Sequence, residues 1–489
     1  MAMIARPVSF FYVFISFFIS CWARQVSGSA WNASRSTGIV HSDQYMYLWH
    51  VSADEEALGT WRIIAGLLCG AVATALSSAG GIGGGGLYVP IFNLVLGFSS
   101  KTSAALSSCM IVGGTIVNVI WYSFQREETG IRPLVDHDVA LLCLPNILLG
   151  ISAGVMGNVA SPSWLVTALL IVVLFFMTFR SCRNAFRRWN KESSCTVPSQ
   201  HLISKLNVNG DVVTDSPVDH EDDLVTPLNG IKYSFPDVIK PCTSAKDLEI
   251  SLLEPQVNPE PLFPWLKVGM LCGTWIAFLA VQLVRGSSDG QNFLGIETCG
   301  MTYWIVTGMQ LPLAVVVTAV ILLQQLKKNK KERETSIAEE AGSLMETDSM
   351  ILLPVYALVA GFLGGMLGLG GGMIISPLLL EMGLHPQVTA ATCSYMVFFS
   401  ASLSVIQFWL LGQIRSVYAL VSASLALVFS VIGLSVIQTV ISKYGRCSLI
   451  VFSVSTVMGI SAVLMAFFGT WDVIVQIEEH AYMGFHSPC

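Results

Sequence analysis

Residues 80–90 read Gly-Gly-Ile-Gly-Gly-Gly-Gly-Leu-Tyr-Val-Pro, and residues 368–377 read Gly-Leu-Gly-Gly-Gly-Met-Ile-Ile-Ser-Pro. At an offset of 287, Gly81, Gly83, Gly84, Gly85 and Pro90 fall on Gly368, Gly370, Gly371, Gly372 and Pro377. One deletion later the offset is 286, and Gly97, Ala104, Ala105, Ser108 and Met110 fall on Gly383, Ala390, Ala391, Ser394 and Met396. Val119-Ile120 then meets Val405-Ile406. Glycine clusters and a proline held in register this far mark an internal repeat, so the chain is built from two related halves.

Composition places both halves in a membrane. Of 489 residues, 53% are hydrophobic and only 12% charged, and the mean hydropathy is +0.65. Soluble proteins carry roughly 25% charged residues. Runs such as Leu141–Gly157, Leu165–Phe179, Leu311–Leu323 and Ala419–Ile441 are almost continuously apolar. Most reach or approach the ~20 residues that cross a ~30 Å hydrocarbon core, where an unhydrated backbone has to be helical. The pattern predicts an all-α, polytopic transmembrane bundle with spans at 62–79, 83–98, 103–124, 137–157, 163–180, 265–284, 301–325, 350–368, 372–384, 388–411, 416–441 and 448–469. The second and ninth are short and broken by Gly and Pro. The implied partner is the lipid bilayer; nothing points to nucleic acid.

The N-terminus has the form of a signal peptide, residues 1–23, with Arg6 ahead of the apolar run Val8–Ser20 and a small-x-small site at Cys21-Trp22-Ala23. An uncleaved anchor is the alternative. The sequon Asn32-Ala33-Ser34 then makes Asn32 a candidate glycosylation site in an extracytosolic segment, 24–61. A first transmembrane repeat follows at 62–181. Residues 182–262 start with Arg183, Arg187 and Arg188 and become acidic, as in Asp219-His220-Glu221-Asp222-Asp223. They hold too little apolar surface to offset ordering entropy and are expected to form a disordered cytosolic loop. Linking helices at 263–326, a charged cytosolic loop at 327–349, a second repeat at 350–469 and an extracytosolic tail at 470–489 complete the division. Lys and Arg favour the cytosol. The clusters after Arg180, at Lys327–Arg333, at Arg126 with Arg132 and at Lys443 with Arg446 share that side if both broken segments cross. That gives twelve crossings, and the halves read as inverted. Transporters built so bind substrate near the midplane, where broken helices meet.

A Gly-rich break, a Pro about five residues on and a Ser/Thr/Ala-rich helix, repeated in both halves, resemble the sulfite exporter TauE/SafE family. The acidic central loop, the leader and the Pro-Cys ending look like its plant members. The resemblance covers both membrane halves but leaves out residues 1–60 and the loop. It implies secondary transport of a small inorganic or organosulfur anion, such as sulfite or a sulfonate. It implies no enzymatic chemistry and no cofactor. The expected location is a secretory-pathway membrane, plasma membrane or endomembrane. The other reading is a membrane adaptor that recruits cytosolic protein, such as a ubiquitin ligase, through 182–262.

The residues themselves point the same way. Consecutive glycines unwind a helix cheaply and let other groups approach the backbone. A helix restarting after the break offers unpaired amides and a positive dipole end to an anion. Gly83, Gly84, Gly85, Gly86 and Pro90 are the candidates in the first half, and Gly370, Gly371, Gly372 and Pro377 in the second. Nearby hydroxyls belong to Ser77, Ser78, Thr102, Ser103, Ser107 and Ser108, and to Thr389, Thr392 and Ser394. Close helix packing is the plainer use of such glycines, as at Gly66-x-x-x-Gly70 and Gly361-x-x-x-Gly365. Lys101 either draws an anion toward the first break or snorkels to the interface. Glu381 and His385 are candidate coupling residues, or loop charges. Asn118 and Gln407 read as interhelical polar contacts.

Other motifs fail. Gly81-x-Gly83-x-x-Gly86 matches the dinucleotide fingerprint literally, yet no strand precedes it and no acidic residue follows about twenty residues on. Twelve cysteines and eight histidines contain no Cys-x-x-Cys or His-x-x-x-His, so no metal site is expected. In the twelve-crossing arrangement Cys299 and Cys489 are the two extracytosolic thiols remote from the bilayer, and they either pair as a disulfide or remain free.

Overall fold

The computed structural model describes residues 60–81, 83–126, 133–208, 263–285, 300–334, 347–382, 384–414, 416–444, 448–478 and 484. Among them the regular structure is helical: α1 (Thr60–Gly80), α2 (Gly85–Leu94), α3 (Ser100–Ser123), α4 (His137–Ala160), α5 (Ser163–Val208), α6 (Trp265–Arg285), α7 (Met301–Gly308), α8 (Gln310–Glu334), α9 (Thr347–Leu367), α10 (Gly372–Glu381), α11 (Pro386–Leu410), α12 (Ser416–Tyr444) and α13 (Ser448–Glu478). Each span read from the sequence lies over one of these helices, or over the α7–α8 pair. Local chemistry sets several starts. The Ser99 hydroxyl caps the amide of Thr102, the Asp136 carboxylate caps Asp138 and Val139, and Pro386 opens α11, where its missing N–H costs nothing.

Among the described residues seven helical stretches are long and apolar enough to cross a bilayer: α3, α4, α5, α6, α7 with α8, α11 and α12. Two of them, α3 and α11, bury 89% of their apolar windows and form the centre. By contrast α5 turns Val172, Phe175, Phe176 and Phe179 outward, and α12 turns out Val428, Val431 and Ile432. These are the faces that lipid covers.

Four expectations need correction. Segments 83–98 and 372–384 do not make full crossings, because α2 and α10 are ten residues each. That is ~15 Å of helix, half of a ~30 Å core. The loop 182–262 does not start at 182, because α5 runs on to Val208. Arg180 and Arg183, on that helix, reach Glu381 and tie it to α10. The basic run Lys327–Arg333 is helical within α8, and α13 carries the tail to Glu478. Residues 1–23, Asn32, the stretch 209–262, Cys299 and Cys489 lie outside the described residues.

The halves interlock. The most extensive helix pair joins α4 of the first half to α9 of the second, while α12 packs on α1 and α3. Glycine makes this possible. A Cβ on Gly361 would fall on the Ile147 backbone, one on Gly365 on that of Ile151, one on Gly150 on that of Leu358, and one on Gly154 on that of Phe362. Without a hydrophobic drive between helices in lipid, such close van der Waals packing is what holds them together. Gly66 and Gly70 instead face the side chains of Leu96 and Met110.

Candidate functional site

At the first break Gly81, Gly83 and Gly84 have φ of 63°, 78° and 75°, and at the second Gly368 and Gly370 both have φ of 67°. L-residues pay for this region, so glycine is required here. The breaks then clasp each other reciprocally. Gly81 lies against the backbone of Ala390 and Gly368 against that of Ala104, while Gly85 touches the backbone of Leu369. Gly83 and Gly370 face the same two side chains, Ile111 and Val397. Each of those is the twelfth residue of its helix, halfway along α3 and α11.

Two half-helices therefore start together at mid-depth and leave in opposite directions. Leu96, just beyond α2, sits by Gly66 near the start of α1, and Glu381, at the end of α10, meets Arg180. The first amides, those of Gly85 and Gly86 in α2 and of Gly372 in α10, precede the helix ladder, whereas Met373 already donates to the Gly370 carbonyl at 3.3 Å. On the first side Gly84 is the N-cap of α2, and its carbonyl accepts from Leu87 and Tyr88 at 2.9 and 3.2 Å. On the second, Gly371 is the N-cap of α10, and Gly372 its first residue. Pro90 and Pro377 lie within the half-helices, one and a half turns from their starts. Positive dipole ends thus converge from both halves, which suits negative charge.

The sequence signature described as "Sulfite exporter TauE/SafE" matches residues 4–189 and 256–465. The chain belongs to the TauE/SafE family. Curated relatives in Arabidopsis thaliana include sulfite exporter TauE/SafE family protein 2, 40% identical over 438 residues, covering 88% of each chain. Family protein 5 is 37% identical over 439 residues, covering 90% of each chain. Family protein 1 is 37% identical over 419 residues, covering 85% of this chain and 86% of its own. No solved structure matches significantly. A TauE/SafE chain is an integral multi-pass membrane protein of a transporter family. Its match begins at residue 4, so the family likeness, expected to leave out residues 1–60, includes most of that N-terminal stretch. The unmatched 190–255 comprises the end of α5 and most of the hydrophilic stretch after it.

The expected hydroxyls of this TauE/SafE chain separate into groups. Ser107 donates to the Gly368 carbonyl at 2.7 Å, binding the second break to α3. Ser77 lies 3.3 Å from the Tyr88 hydroxyl, which donates to Thr74 at 3.0 Å. A Cβ on Gly84 would strike Ser77 and Tyr88, so this buried trio borders the first break. Ser78 joins Ser430 at 2.7 Å, and Ser430 also bonds the Asn118 carbonyl oxygen. Ser108 and Ser394 bond back to Ala104 and Ala390 at equivalent places, and Ser108 also meets Ser404. Thr102 and Ser103 are occupied at the start of α3, with Ser99 and Phe98. Thr392 accepts from the Asp136 amide at 2.9 Å, supporting the cap of α4. Burial pushes the Asp136 carboxyl above its ordinary range, and the Val139 amide pulls it back. The Thr389 hydroxyl is buried and has no partner.

The charges sit away from the breaks. The Lys101 ammonium donates to the Val159 carbonyl at 3.0 Å, in the last turn of α4, where a cation complements the helix dipole. Glu381 is bound by Arg180 through two bonds, 3.1 and 2.5 Å, and by Arg183 at 3.3 Å. His385 is the exposed N-cap of α11, and its side chain makes no cap bond. Gln407 donates to Ser152 at 2.9 Å. Sequence reasoning passed over Tyr88, though its place two residues before Pro90 was a usable signal, and it also missed Arg285.

Proposed function

We propose that this chain is a secondary transporter of a small anion, and that the anion passes the point where α2 and α10 begin. One observation carries the reading: both half-helix N-termini stand beside Ile111 and Val397, halfway along the two most buried helices. Unpaired amides there attract an anion without a fixed countercharge, so binding stays weak enough for release. Ser77, Tyr88 and Ser107 border the site and shape it, their hydroxyl hydrogens already given to Thr74 and to the Gly368 carbonyl. The anion is a sulfur oxyanion or sulfonate; what supports that class is the name that the family and its relatives carry.

Inverted halves fit the antiparallel course of α3 and α11. Ser108 meets Ser404, whereas Ser123, fifteen residues later, bonds Tyr395. A two-fold axis relating antiparallel helices lies across them, and so in the membrane plane, as rocking-type transporters require. The half-length α2 and α10 still return the chain as two crossings would, so the positive clusters keep one cytosolic side in a secretory-pathway membrane. The test is flux of radiolabelled sulfite, sulfate and taurine in proteoliposomes. Saturable uptake of one of them above empty liposomes is expected. Folded, reconstituted protein that carries none would overturn the reading.

A further inference from the structure

At the end of α6, far from the central breaks, the fold buries a positive charge. Arg285 is only 4% exposed. Its Nη2 lies 2.7 Å from the Met156 sulfur, and its guanidinium stands over the Tyr303 ring at 4.8 Å. The Tyr303 hydroxyl reaches the same sulfur at 3.8 Å. A thioether is a weak acceptor and a ring face carries no net charge, while an arginine in a protein keeps its proton. Among the described residues Nη1 has no partner. A buried charge left so is costly until an anion pairs with it.

The surroundings are polar in the same sense. One turn down α6, buried Gln282 donates to Ser152 at 3.0 Å, and Gln407 donates to that hydroxyl too. Gln310, which opens α8 seven residues after Tyr303, is 1% exposed, and its side-chain nitrogen has no partner among the described residues. Two buried donors, Arg285 Nη1 and Gln310 Nε2, are thus unpartnered among the described residues, on α6 and on the α8 that packs against it. Charged and amide donors of this kind suit an oxyanion.

We propose that Arg285 anchors a second anion site, at the outer end of the bundle between α4, α6 and α7, that takes an oxyanion group of the sulfate class. Tyr303 holds the guanidinium plane and Gln310 is the second donor. The site stands in series with the central breaks, and this placing alone rests on the transport reading. A dissolved anion and the phosphate of a lipid head share the needed chemistry, so the experiment separates them.

Full-length protein purified in phospholipid-free detergent is titrated with radiolabelled sulfate, sulfite serving as competitor. Arg285→Gln should weaken binding about tenfold or more, and Arg285→Lys less, because a point charge replaces a planar fork. Gln310→Leu provides a second route should Arg285→Gln not fold, and it should weaken binding about tenfold, as expected for loss of one bond to an anion. In parallel, native mass spectrometry of protein extracted from membranes reads retained phospholipid. Sulfate binding that depends on Arg285 supports the dissolved source. Phospholipid retained by the native chain and lost in Arg285→Gln, without sulfate binding, supports the headgroup. Sulfate binding unchanged in both variants, or neither ligand bound, overturns the site. Flux measured separately keeps the two claims apart: binding at Arg285 in a chain that carries no anion would sink transport and leave the site standing.

Discussion

The Ser107 hydroxyl donates to the carbonyl of Gly368, so a helix of the first half holds open the break of the second. Both groups are buried, and Gly368 is in the left-handed region with its carbonyl turned out of any helix ladder. Ser107→Ala should leave that carbonyl unsatisfied and cost about 1–3 kcal/mol. Thermal unfolding in detergent measures it. Ser107→Cys, which copies the residue at the equivalent Cys393, should recover part of the loss.

The glycines at the two breaks should not tolerate alanine equally. Gly371 has φ of −54°, and an added Cβ would meet the Ile147 methyl at 3.2 Å, a contact that side chain can relieve. Gly84 has φ of 75° and would drive a Cβ into Ser77 and Tyr88. The left-handed backbone alone costs about 1–2 kcal/mol. Gly84→Ala should therefore reduce folded yield as well as flux. Gly371→Ala should insert normally and lose flux by closing the break. A Gly371→Ala chain with unchanged flux would show that the break is only a packing device.

Arg180, Arg183 and Glu381 should behave as a half-exposed electrostatic clamp on α10. The side chains of Arg180 and Glu381 are 20% and 30% exposed, so their coupling should be about 0.5–1 kcal/mol and should weaken with salt. A double-mutant cycle between Arg180→Gln and Glu381→Gln reads it. The exchange Arg180→Glu with Glu381→Arg should restore part of the stability that either single reversal removes. Since two arginines already hold Glu381, His385→Gln should leave the coupling energy unchanged.

Contacts between distant helix ends also make a topology prediction. Lys267 pairs with Asp138 at 2.8 Å, and Gln325 donates to the carbonyl of Asp138 at 2.8 Å, so the starts of α4 and α6 share a side with the C-terminal part of α8. In sealed right-side-out vesicles, a protease tag after Lys267 and one at residue 215 should both be protected until detergent is added. A tag after Ser99, by Lys101, should be cut from outside. The opposite pattern would reverse the orientation.

How far the sequence could be read follows from these same residues. The spans were legible because helix length in lipid is set by thickness and because glycine and proline punctuate them. The repeat was legible because the backbone at Gly83 and Gly370 admits no side chain in place of hydrogen. The half-length of α2 and α10 was hidden, since 95–99 and 382–385 continue the apolar sequence pattern past the last helical residues, Leu94 and Glu381. Hydroxyl roles were hidden too: whether Thr392 faces a break or the Asp136 amide depends on the rotation of α11, which several packed neighbours fix. Arg285 looks in sequence like an ordinary interfacial anchor, and only the folding of Tyr303 and Met156 over it encloses the charge.

The exchange of partners between halves bears on how the protein is made. With α4 seated against α9, and α1 and α3 against α12, the first half leaves the ribosome with its glycine faces, Gly150, Gly154 and Gly113, still uncovered. Those faces stay open to lipid until some 200 further residues have been synthesised. Assembly is therefore a late, single event rather than the docking of two finished modules. Cutting the gene within 209–262 should yield fragments that are degraded when made alone and persist when made together.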